Sequence, residues 1–300
     1  MPEDRPTFDL QSHSLYSDGA LPPREVVARA ADAGVELLAV SDHDTVDGVD
    51  EAIEAAIEHG IHVVSAVEIS TVDPAGADLH ILGYGIDHHD PGIAARLREF
   101  RGDRERRGWA MVDAVRELGF QVDDEGLRRR TADDQSLGRP HIAEAVFTHP
   151  ANAARLTAEG RMDPILFLKG YLIEGKPAFR PREQPTVASA IECIHDAGGS
   201  AVWAHPFWDI TASDDVLATI DRFVDLGIDG VECFYVTHTR IQTDLLADRC
   251  AELGLLATGS SDFHGPQHRA FSRFRAFSTF GREPMLGPIL AAAHPVAAAT

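Results

Sequence analysis

Residues 36–44 read E-L-L-A-V-S-D-H-D, a short apolar run followed at once by three side chains that can bind a cation. The run predicts a buried strand over residues 36–41. The preceding segment, residues 22–34, has proline at its start and glycine at its end, a pattern that predicts an amphipathic helix. Residues 48–60 after it predict a second helix. A buried strand between two helices is typical of a βαβ unit in a parallel sheet.

The same alternation covers two separate parts of the chain. Further strands are predicted at 7–10, 61–69, 79–86, 200–204, 230–235 and 255–260, and further helices at 186–197, 213–226 and near 240–253. Residues 88–184 differ, because they begin with a long charged helix over 90–119 and carry little strand signal. We therefore expect a βα domain built from residues 1–87 and 185–300, with residues 88–184 as an inserted helical domain that covers the substrate.

The composition argues against several functional classes. The 300 residues are 44% hydrophobic, and 27 Lys+Arg against 48 Asp+Glu give a formal net charge of −21. A surface this acidic repels nucleic-acid backbones, which disfavours coating of a duplex or binding at a membrane surface. No apolar run approaches the ~18 residues of a membrane span. The three cysteines are scattered and residues 1–6 lack a signal-peptide pattern, so we expect a cytoplasmic protein.

Side chains that bind metals cluster at the carboxyl ends of the predicted strands. They are His13 and Asp18 after the first strand, Asp42, His43 and Asp44 after the second, Glu68 at the end of the third, His80 in the fourth, His205 after the fifth, Glu232 in the sixth, and Asp262 and His264 after the last. In a βα barrel this end carries the active site. Imidazoles and carboxylates without cysteine suit a cluster of Zn²⁺, Mn²⁺ or Fe²⁺.

The chemistry of such a cluster points to phosphoester hydrolysis. Glu68 has two carboxylate oxygens and can therefore bridge two cations. Neighbouring cations lower the pKa of a shared water and neutralise the charge of a phosphoryl group during transfer.

Seven sequence motifs resemble those of the polymerase-and-histidinol-phosphatase (PHP) superfamily and occur in the same order. They are L-Q-S-H-S (10–14) with S-D-G (17–19), S-D-H-D-T (41–45), A-V-E-I-S (66–70), L-H-I-L-G-Y (79–84), A-H-P (204–206) and S-S-D-F-H-G (260–265). In addition, G-R-P-H (138–141) and G-K-P-A (175–178) resemble the small-nucleotide phosphoesterase branch, which includes 3′,5′-nucleoside bisphosphate phosphatases. The resemblance covers about residues 8–268.

The resemblance implies a fold and a set of site residues. The fold would be α/β, a distorted (β/α)7 TIM-like barrel with an inserted helical domain, holding two to three divalent cations. By family analogy the ligands would be His13, Glu68 and Asp262 for one cation, Glu68, His80 and His205 for a second, and Asp18, His43 and His264 for a third. Hydroxide held near Glu68, Asp262 and His205 would attack phosphorus. Arg139 and His141 would grip the substrate phosphate, since an arginine fork suits that geometry.

The chain departs from the family pattern at one position. The family usually begins with His-x-His, whereas here Gln11 stands in the first place. An amide oxygen can bind a hard cation but lacks the basicity of imidazole. Gln11 is therefore the weakest candidate ligand, and the first cation is expected to be weakly held, exchangeable or absent.

Other candidates have more ordinary interpretations. His59, His149, His195, His238 and His294 are expected at the surface, and Asp42 and Asp44 are expected to orient His43 or to cap the following turn. Trp203, Phe207 and Trp208 are expected in the core or the pocket wall, although one of them could stack on a nucleobase. His268 is a weaker candidate for phosphate contact.

Four functions remain open from the sequence. The leading one is a metal-dependent phosphomonoesterase that acts on a small nucleotide, with a 3′,5′-nucleoside bisphosphate as the first choice. The alternatives are a 5′-3′ exoribonuclease on short oligonucleotides, a histidinol-phosphate phosphatase, and a metal-binding accessory module without turnover. No membrane or long nucleic-acid partner is expected.

Overall fold

The computed structural model describes residues 6–73, 78–132, 137–181 and 185–294. Internal contacts divide these residues into two compact units. The first contains residues 6–73, 78–97 and 185–294, and the second contains residues 98–132 and 137–181. The boundary at residues 97 and 98 lies inside a long helix, ten residues after the insertion boundary that the sequence predicts.

The first unit is built on a seven-stranded sheet whose strands follow one another in chain order. The strands are β1 (Phe8–Asp9), β2 (Leu37–Val40), β3 (His62–Val72), β4 (Asp78–Tyr84), β5 (Ser200–Trp203), β6 (Gly230–Tyr235) and β7 (Leu256–Ser260). The last strand returns to the first, because Leu10 donates a backbone hydrogen bond to Gly259 (3.1 Å). Ser12 and Phe263 extend this contact as a parallel bridge. The sheet is therefore a nearly closed barrel.

The described helices lie between these strands and in the second unit. They are α1 (Pro23–Asp32), α2 (Val49–His59), α3 (Pro91–Glu117), α4 (Asp124–Ala132), α5 (Arg139–Phe147), α6 (Ala153–Ala158), α7 (Pro164–Tyr171), α8 (Val187–Asp196), α9 (Pro206–Asp209), α10 (Ser213–Asp225), α11 (Arg240–Leu253) and α12 (Gly287–Ala291). Most of the predicted elements agree with these bounds to within one or two residues. The predicted frayed tail beyond residue 294 lies outside the described residues.

The prediction of a parallel sheet is wrong for one strand. β4 pairs antiparallel with both β3 and β5, and Glu68 lies opposite Leu82 while Ser70 lies opposite His80. The reason is the length of the connection: β3 ends at Val72 and β4 begins at Asp78, which leaves too few residues for a crossover helix. The remaining strand pairs are parallel.

The apolar faces of the helices pack on the barrel strands. Val26 and Ala30 of α1 and Ala56 of α2 are fully or almost fully buried together with Leu38 of β2. α2 is followed by Gly60, which adopts the left-handed conformation (φ 70°) that glycine accepts without strain. These contacts fix the strand ends from which the polar loops emerge.

The second unit has a core of its own. Phe120 and Phe167 are buried with ring centroids 5.1 Å apart in an edge-to-face arrangement, and the guanidinium of Arg155 lies 3.7 Å from the Phe120 ring centroid. Met111 of α3 and Ile142 of α5 complete this core. The inserted domain predicted over residues 88–184 and its role as a substrate cap stay predictions.

No helix within the described ranges is both long enough and apolar enough to cross a membrane.

The surface position predicted for His238 is wrong, since the side chain is only 6% exposed. Its Nδ1 lies 3.1 Å from the carbonyl oxygen of Cys233, which can only accept, so Nδ1 carries the proton. Its Nε2 is buried without a hydrogen-bond partner among the described residues. A second proton on this ring would have no acceptor, and burial lowers the pKa of His238 to about 4.

His238 should make the barrel sensitive to acid. Between pH 6.5 and about 4, His238 is protonated in the unfolded chain but neutral in the folded chain. The free energy of unfolding therefore falls as pH falls through this range. The loss should reach about 2–3 kcal/mol near pH 4. His238→Asn keeps a donor for the Cys233 carbonyl and should show less of this loss when urea midpoints are compared at pH 7 and pH 5. Equal pH dependence in both proteins would contradict the assignment.

Candidate metal centre

The loop after β1 carries the first candidate ligands and is held by a buried carboxylate from the loop after β2. Ser14 donates to both oxygens of Asp42, from its backbone nitrogen (2.7 Å) and its hydroxyl (2.6 Å). Ser17 donates to the same carboxylate (2.6 Å). Asp42 therefore orients the loop of His13 rather than His43, which differs from the sequence prediction. The fold of this loop places Asp18 3.6 Å from Nδ1 of His13.

Glu68 lies at the centre of the site and is 1% exposed. Its predicted position at the end of the third strand is wrong, because β3 continues to Val72 in its pairing with β4. One of its oxygens lies 2.5 Å from Nδ1 of His80 and 3.3 Å from Nε2 of His205. The other lies 3.0 Å from Nε2 of His13 and 3.7 Å from Nδ1 of His43. Imidazoles from β4 and from the loops after β1, β2 and β5 thus meet at one carboxylate.

Asp262 and His264, after β7, extend the cluster on the other side of His13. Asp262 Oδ1 lies 3.1 Å from Nε2 of His13 and 3.6 Å from Nδ1 of His264. Nε2 of His264 lies 3.5 Å from Asp18, which in turn lies 3.6 Å from Nε2 of His43. The structure therefore gathers at one rim all eight histidine and carboxylate ligands that the sequence predicts.

The opposite charges of this cluster shift the pKa values of its members. Burial disfavours the charged form of Glu68, but the imidazoles of His43 and His80 hold its pKa well below the usual range. Asp262 behaves in the same way, with a pKa of about 2 beside His264 and His13. Hydrogen bonding to Glu68 overcomes the burial of His205 and raises its pKa to about 9. Protons on imidazoles thus balance buried carboxylates, a task that a bound cation can take over.

The nitrogen and oxygen atoms of the cluster are arranged more like ligands of divalent cations than like hydrogen-bond partners of one another. Nε2 of His13, Nδ1 of His80, Nδ1 of His205 and Oδ1 of Asp262 are buried without a hydrogen-bond partner among the described residues. Three groups of these side chains place their ligand atoms within 4.8 Å of one another: His13, Asp18 and His43; His13, Asp262 and His264; and His43, Glu68 and His80. Buried polar atoms that approach closely without hydrogen-bond geometry are typical of metal ligands.

The backbone is strained at three strand ends of the site. Asp44 (φ 55°), His205 (φ 31°) and Asp262 (φ 53°) are non-glycine residues in the left-handed region. Each is held by a specific contact: Asp44 accepts from the backbone nitrogen of Ser70 (3.0 Å), and the His205 nitrogen donates to Glu232 (2.9 Å). Asp262 accepts from the hydroxyl of Tyr235 (2.7 Å). Strain of this kind commonly accompanies functional sites.

Gln11 is oriented by two neighbours. Its Nε2 donates to Glu68 (2.9 Å), and its Oε1 accepts from the hydroxyl of Ser260 (3.2 Å). The orientation follows from the charge of Glu68, because an ionised carboxylate can only accept. The amide nitrogen, not the oxygen, therefore faces the central carboxylate, and this position acts as a donor where the family usually has an imidazole ligand.

Sequence reasoning missed or undervalued three supporting side chains. Tyr235 and Ser260 are the last residues of β6 and β7, so their position at strand ends was the available signal. Glu232 is fully buried, and its Oε1 lies 2.6 Å from the hydroxyl oxygen of Ser260. Burial raises the pKa of Glu232 to about 8, against the opposing effect of His205. Glu232 is therefore largely uncharged at neutral pH. It contacts the site through its hydrogen bond with the backbone nitrogen of His205.

The candidates for phosphate contact lie in different units. His268 lies near the cluster, with its ring centroid 5.2 Å from that of His264, and its Nδ1 accepts from the backbone nitrogen of Phe271 (3.0 Å). Arg139 and His141 lie in the second unit at the start of α5, where His141 Nδ1 accepts from the Gly138 nitrogen (3.0 Å). Contact of these three side chains with substrate stays a prediction.

Comparisons with known proteins place the chain in a family. The PHP domain model matches residues 9–122. The chain is 36% identical to a 5′-3′ exoribonuclease of Haemophilus influenzae over 86% of this chain and 90% of the relative. It is 33% identical to a 3′,5′-nucleoside bisphosphate phosphatase of Chromobacterium violaceum over 86% of this chain and 87% of the relative. A solved structure from Chromobacterium violaceum, an amidohydrolase with bound sulfate and no metal, superimposes with a TM-score of 0.83 at 30% identity, covering 98% of this chain and 99% of the other.

The chain belongs to the PHP domain family. It is a metal-dependent phosphoesterase, a hydrolase of phosphoester bonds that uses divalent cations. The comparisons confirm the resemblance and the barrel fold predicted from the motifs.

The substitution at Gln11 predicts a difference in metal retention. We expect the purified protein to hold at least two transition-metal equivalents. Gln11→His should tighten the weakest site by about 10-fold, because imidazole is a stronger ligand than an amide. Elemental analysis after dialysis against graded chelator measures this, and Gln121→His serves as the control because Gln121 is an exposed residue of the second unit. One equivalent or fewer in well-folded, metal-loaded protein would refute the expectation, as would equal retention in both variants.

Proposed function

We propose that this enzyme is a phosphomonoesterase for a small nucleotide, with a 3′,5′-nucleoside bisphosphate as the best substrate. The observation that carries the proposal is the position of Glu68, whose two buried oxygens each face two imidazoles. A carboxylate in this position suits the bridging of two cations. The similarity to a nucleoside bisphosphate phosphatase over most of both chains supports the choice of substrate.

The distances support three ligand sets for two to three cations, with Mn²⁺, Zn²⁺ or Fe²⁺ as the candidates. His13 lies 3.0 Å from Glu68 and 3.1 Å from Asp262, the first set. His80 and His205 lie 2.5 and 3.3 Å from the other Glu68 oxygen, the second set. The third set is Asp18 with His43 and His264, at 3.6 and 3.5 Å. Oxygen and imidazole donors suit all three metals.

Bound cations would neutralise phosphoryl charge and make water more acidic. The protein's own side chains orient the site. The Tyr235 hydroxyl fixes Asp262, and the Gln11 amide fixes Glu68. His268 accepts at Nδ1, so its proton sits on Nε2, from which it can donate to a phosphate oxygen. Arg139 and His141 stay candidate phosphate-binding residues that the resemblance implies.

A second candidate function is the removal of nucleotides from short 5′-phosphorylated RNA. The similarity to an exoribonuclease of Haemophilus influenzae favours it. Both reactions hydrolyse a phosphoester next to a nucleoside, so the same cation cluster would serve either. The net charge of −21 argues against long RNA, since a polyanion approaching this surface is repelled.

Phosphate release tests the main proposal. With Mn²⁺ present, the enzyme should release phosphate from adenosine 3′,5′-bisphosphate much faster than from histidinol phosphate. Glu68→Gln should lower kcat/KM by roughly 10²–10³-fold, because it removes the charge that holds two cations. The matched control is Glu58→Gln, on the exposed face of α2, which should retain full activity.

The other outcomes identify the alternatives. A preference for histidinol phosphate would make the enzyme a histidinol-phosphate phosphatase. No phosphate from any nucleotide, with metal bound, would favour an accessory module without turnover.

Ionic strength separates the two nucleotide substrates. Raising salt from 50 to 200 mM should change kcat/KM for the bisphosphate only about 2- to 3-fold, because few charges are involved. Cleavage of a short oligoribonucleotide should depend on salt more steeply, because each additional phosphate contact adds to the slope. A bisphosphate activity that is negligible beside a strongly salt-dependent oligonucleotide activity would favour the exoribonuclease.

A further inference from the structure

A group of aromatic side chains borders the metal centre. Trp208, in the short helix α9 that begins directly after His205, is 52% exposed. Its ring centroid lies 5.5 Å from that of Phe271 and 6.5 Å from that of Tyr235. We call these three residues, together with His268, the aromatic rim. Its inner members are buried or half-buried, whereas Trp208 presents much of its indole to solvent.

The aromatic rim is continuous with the candidate ligands. The Tyr235 hydroxyl binds Asp262 directly. The Phe271 ring stacks on His268, with centroids 5.1 Å apart and planes inclined by 14°, and lies 5.5 Å from the His264 ring. Trp208 is therefore two ring contacts away from His264. Phe271 supports the indole from one side and limits its freedom to move.

We propose that Trp208 is the platform on which the nucleobase of the substrate stacks while its phosphate lies at the metal centre. The inference rests on the proposed nucleotide substrate and adds a subsite for its base. A large indole at the rim, half exposed and backed by a second ring, offers a flat apolar surface at low entropic cost. Stacking on such a surface accepts any base, because every base has a π face.

The charges around the rim agree with a base rather than a phosphate at this position. Asp209 follows Trp208 and lies 3.8 Å from Nδ1 of His205, and a carboxylate beside the indole repels a phosphate. Phosphate would instead bind on the side of His264 and His268. A nucleotide has this same division, with an apolar ring at one end and an anion at the other.

Comparing a nucleotide with its base-free analogue separates loss of a base contact from a change that affects every substrate. The first substrate is adenosine 3′,5′-bisphosphate, and the second is the same sugar bisphosphate with hydrogen in place of the base. Trp208→Ala should raise KM for the nucleotide by about 10- to 100-fold, with kcat changed less than about 2-fold. KM for the base-free compound should not change. Trp208→Phe, which keeps a flat ring, should restore most of the affinity.

A control variant and a second readout complete the test. Ile241→Ala removes an exposed apolar side chain of α11 that is not part of the aromatic rim, and it should leave both substrates unaffected. Adenosine 3′,5′-bisphosphate should quench tryptophan emission of the wild-type protein, and Trp208→Phe should abolish most of this quenching. The other two tryptophans are Trp203, which is buried, and Trp109 in the second unit.

The outcomes distinguish the subsite from the proposed function. Equal KM changes for both substrates, or none for either, would overturn the subsite while leaving the phosphatase intact. No phosphate release from either compound by the wild-type enzyme would overturn the proposed function. In that case quenching lost in Trp208→Phe would still support base binding, and the absence of quenching would overturn the subsite as well.

Discussion

The carboxylate of Glu68 is buried among imidazoles contributed by four different strands or the loops that follow them, and the geometry of the site depends on how its charge is balanced. A buried carboxylate without partners costs several kcal/mol, so the surrounding rings must carry protons or share cations with it. The raised pKa values of His13 and His205 are part of this balance. The negative charge of Glu68 would attract divalent cations to the metal centre, and it also holds the surrounding imidazoles close together.

Hydrogen bonds from neighbouring side chains hold the candidate ligands of the metal centre in place. Asp42 holds the loop of His13 through three hydrogen bonds, and Tyr235 holds Asp262. Three ligand-bearing turns use left-handed backbone at non-glycine residues, and their strain is sustained by the surrounding barrel. The arrangement resembles a preorganised site, in which folding rather than substrate binding places the reactive groups.

The sequence predicted the barrel elements well, because each buried strand is an apolar run bounded by polar residues. The eight side chains that it singled out as candidate ligands lie close together, and their role as ligands stays a prediction. The antiparallel direction of β4 was not predicted. The only sign of it in the sequence is that no helix is predicted between the third and fourth strands. The sequence also did not reveal the amide orientation of Gln11 or the burial of His238, both of which depend on neighbours distant along the chain. The supporting roles of Tyr235 and Ser260 were not apparent from the sequence, because each depends on a hydrogen bond to a residue on another part of the chain.

The barrel is discontinuous along the chain, and this has a consequence for biosynthesis. Asp9 accepts hydrogen bonds from the backbone and hydroxyl of Ser261, 252 positions later, and Gln11 contacts Ser260 across a similar span. As the ribosome releases the chain from its amino end, the first four strands and the whole second unit emerge while β1 still lacks its closing neighbour. Until β7 appears, the growing polypeptide therefore carries an open strand edge and six of the eight candidate ligands of the metal centre. The second unit, with its own apolar core, can fold during this interval.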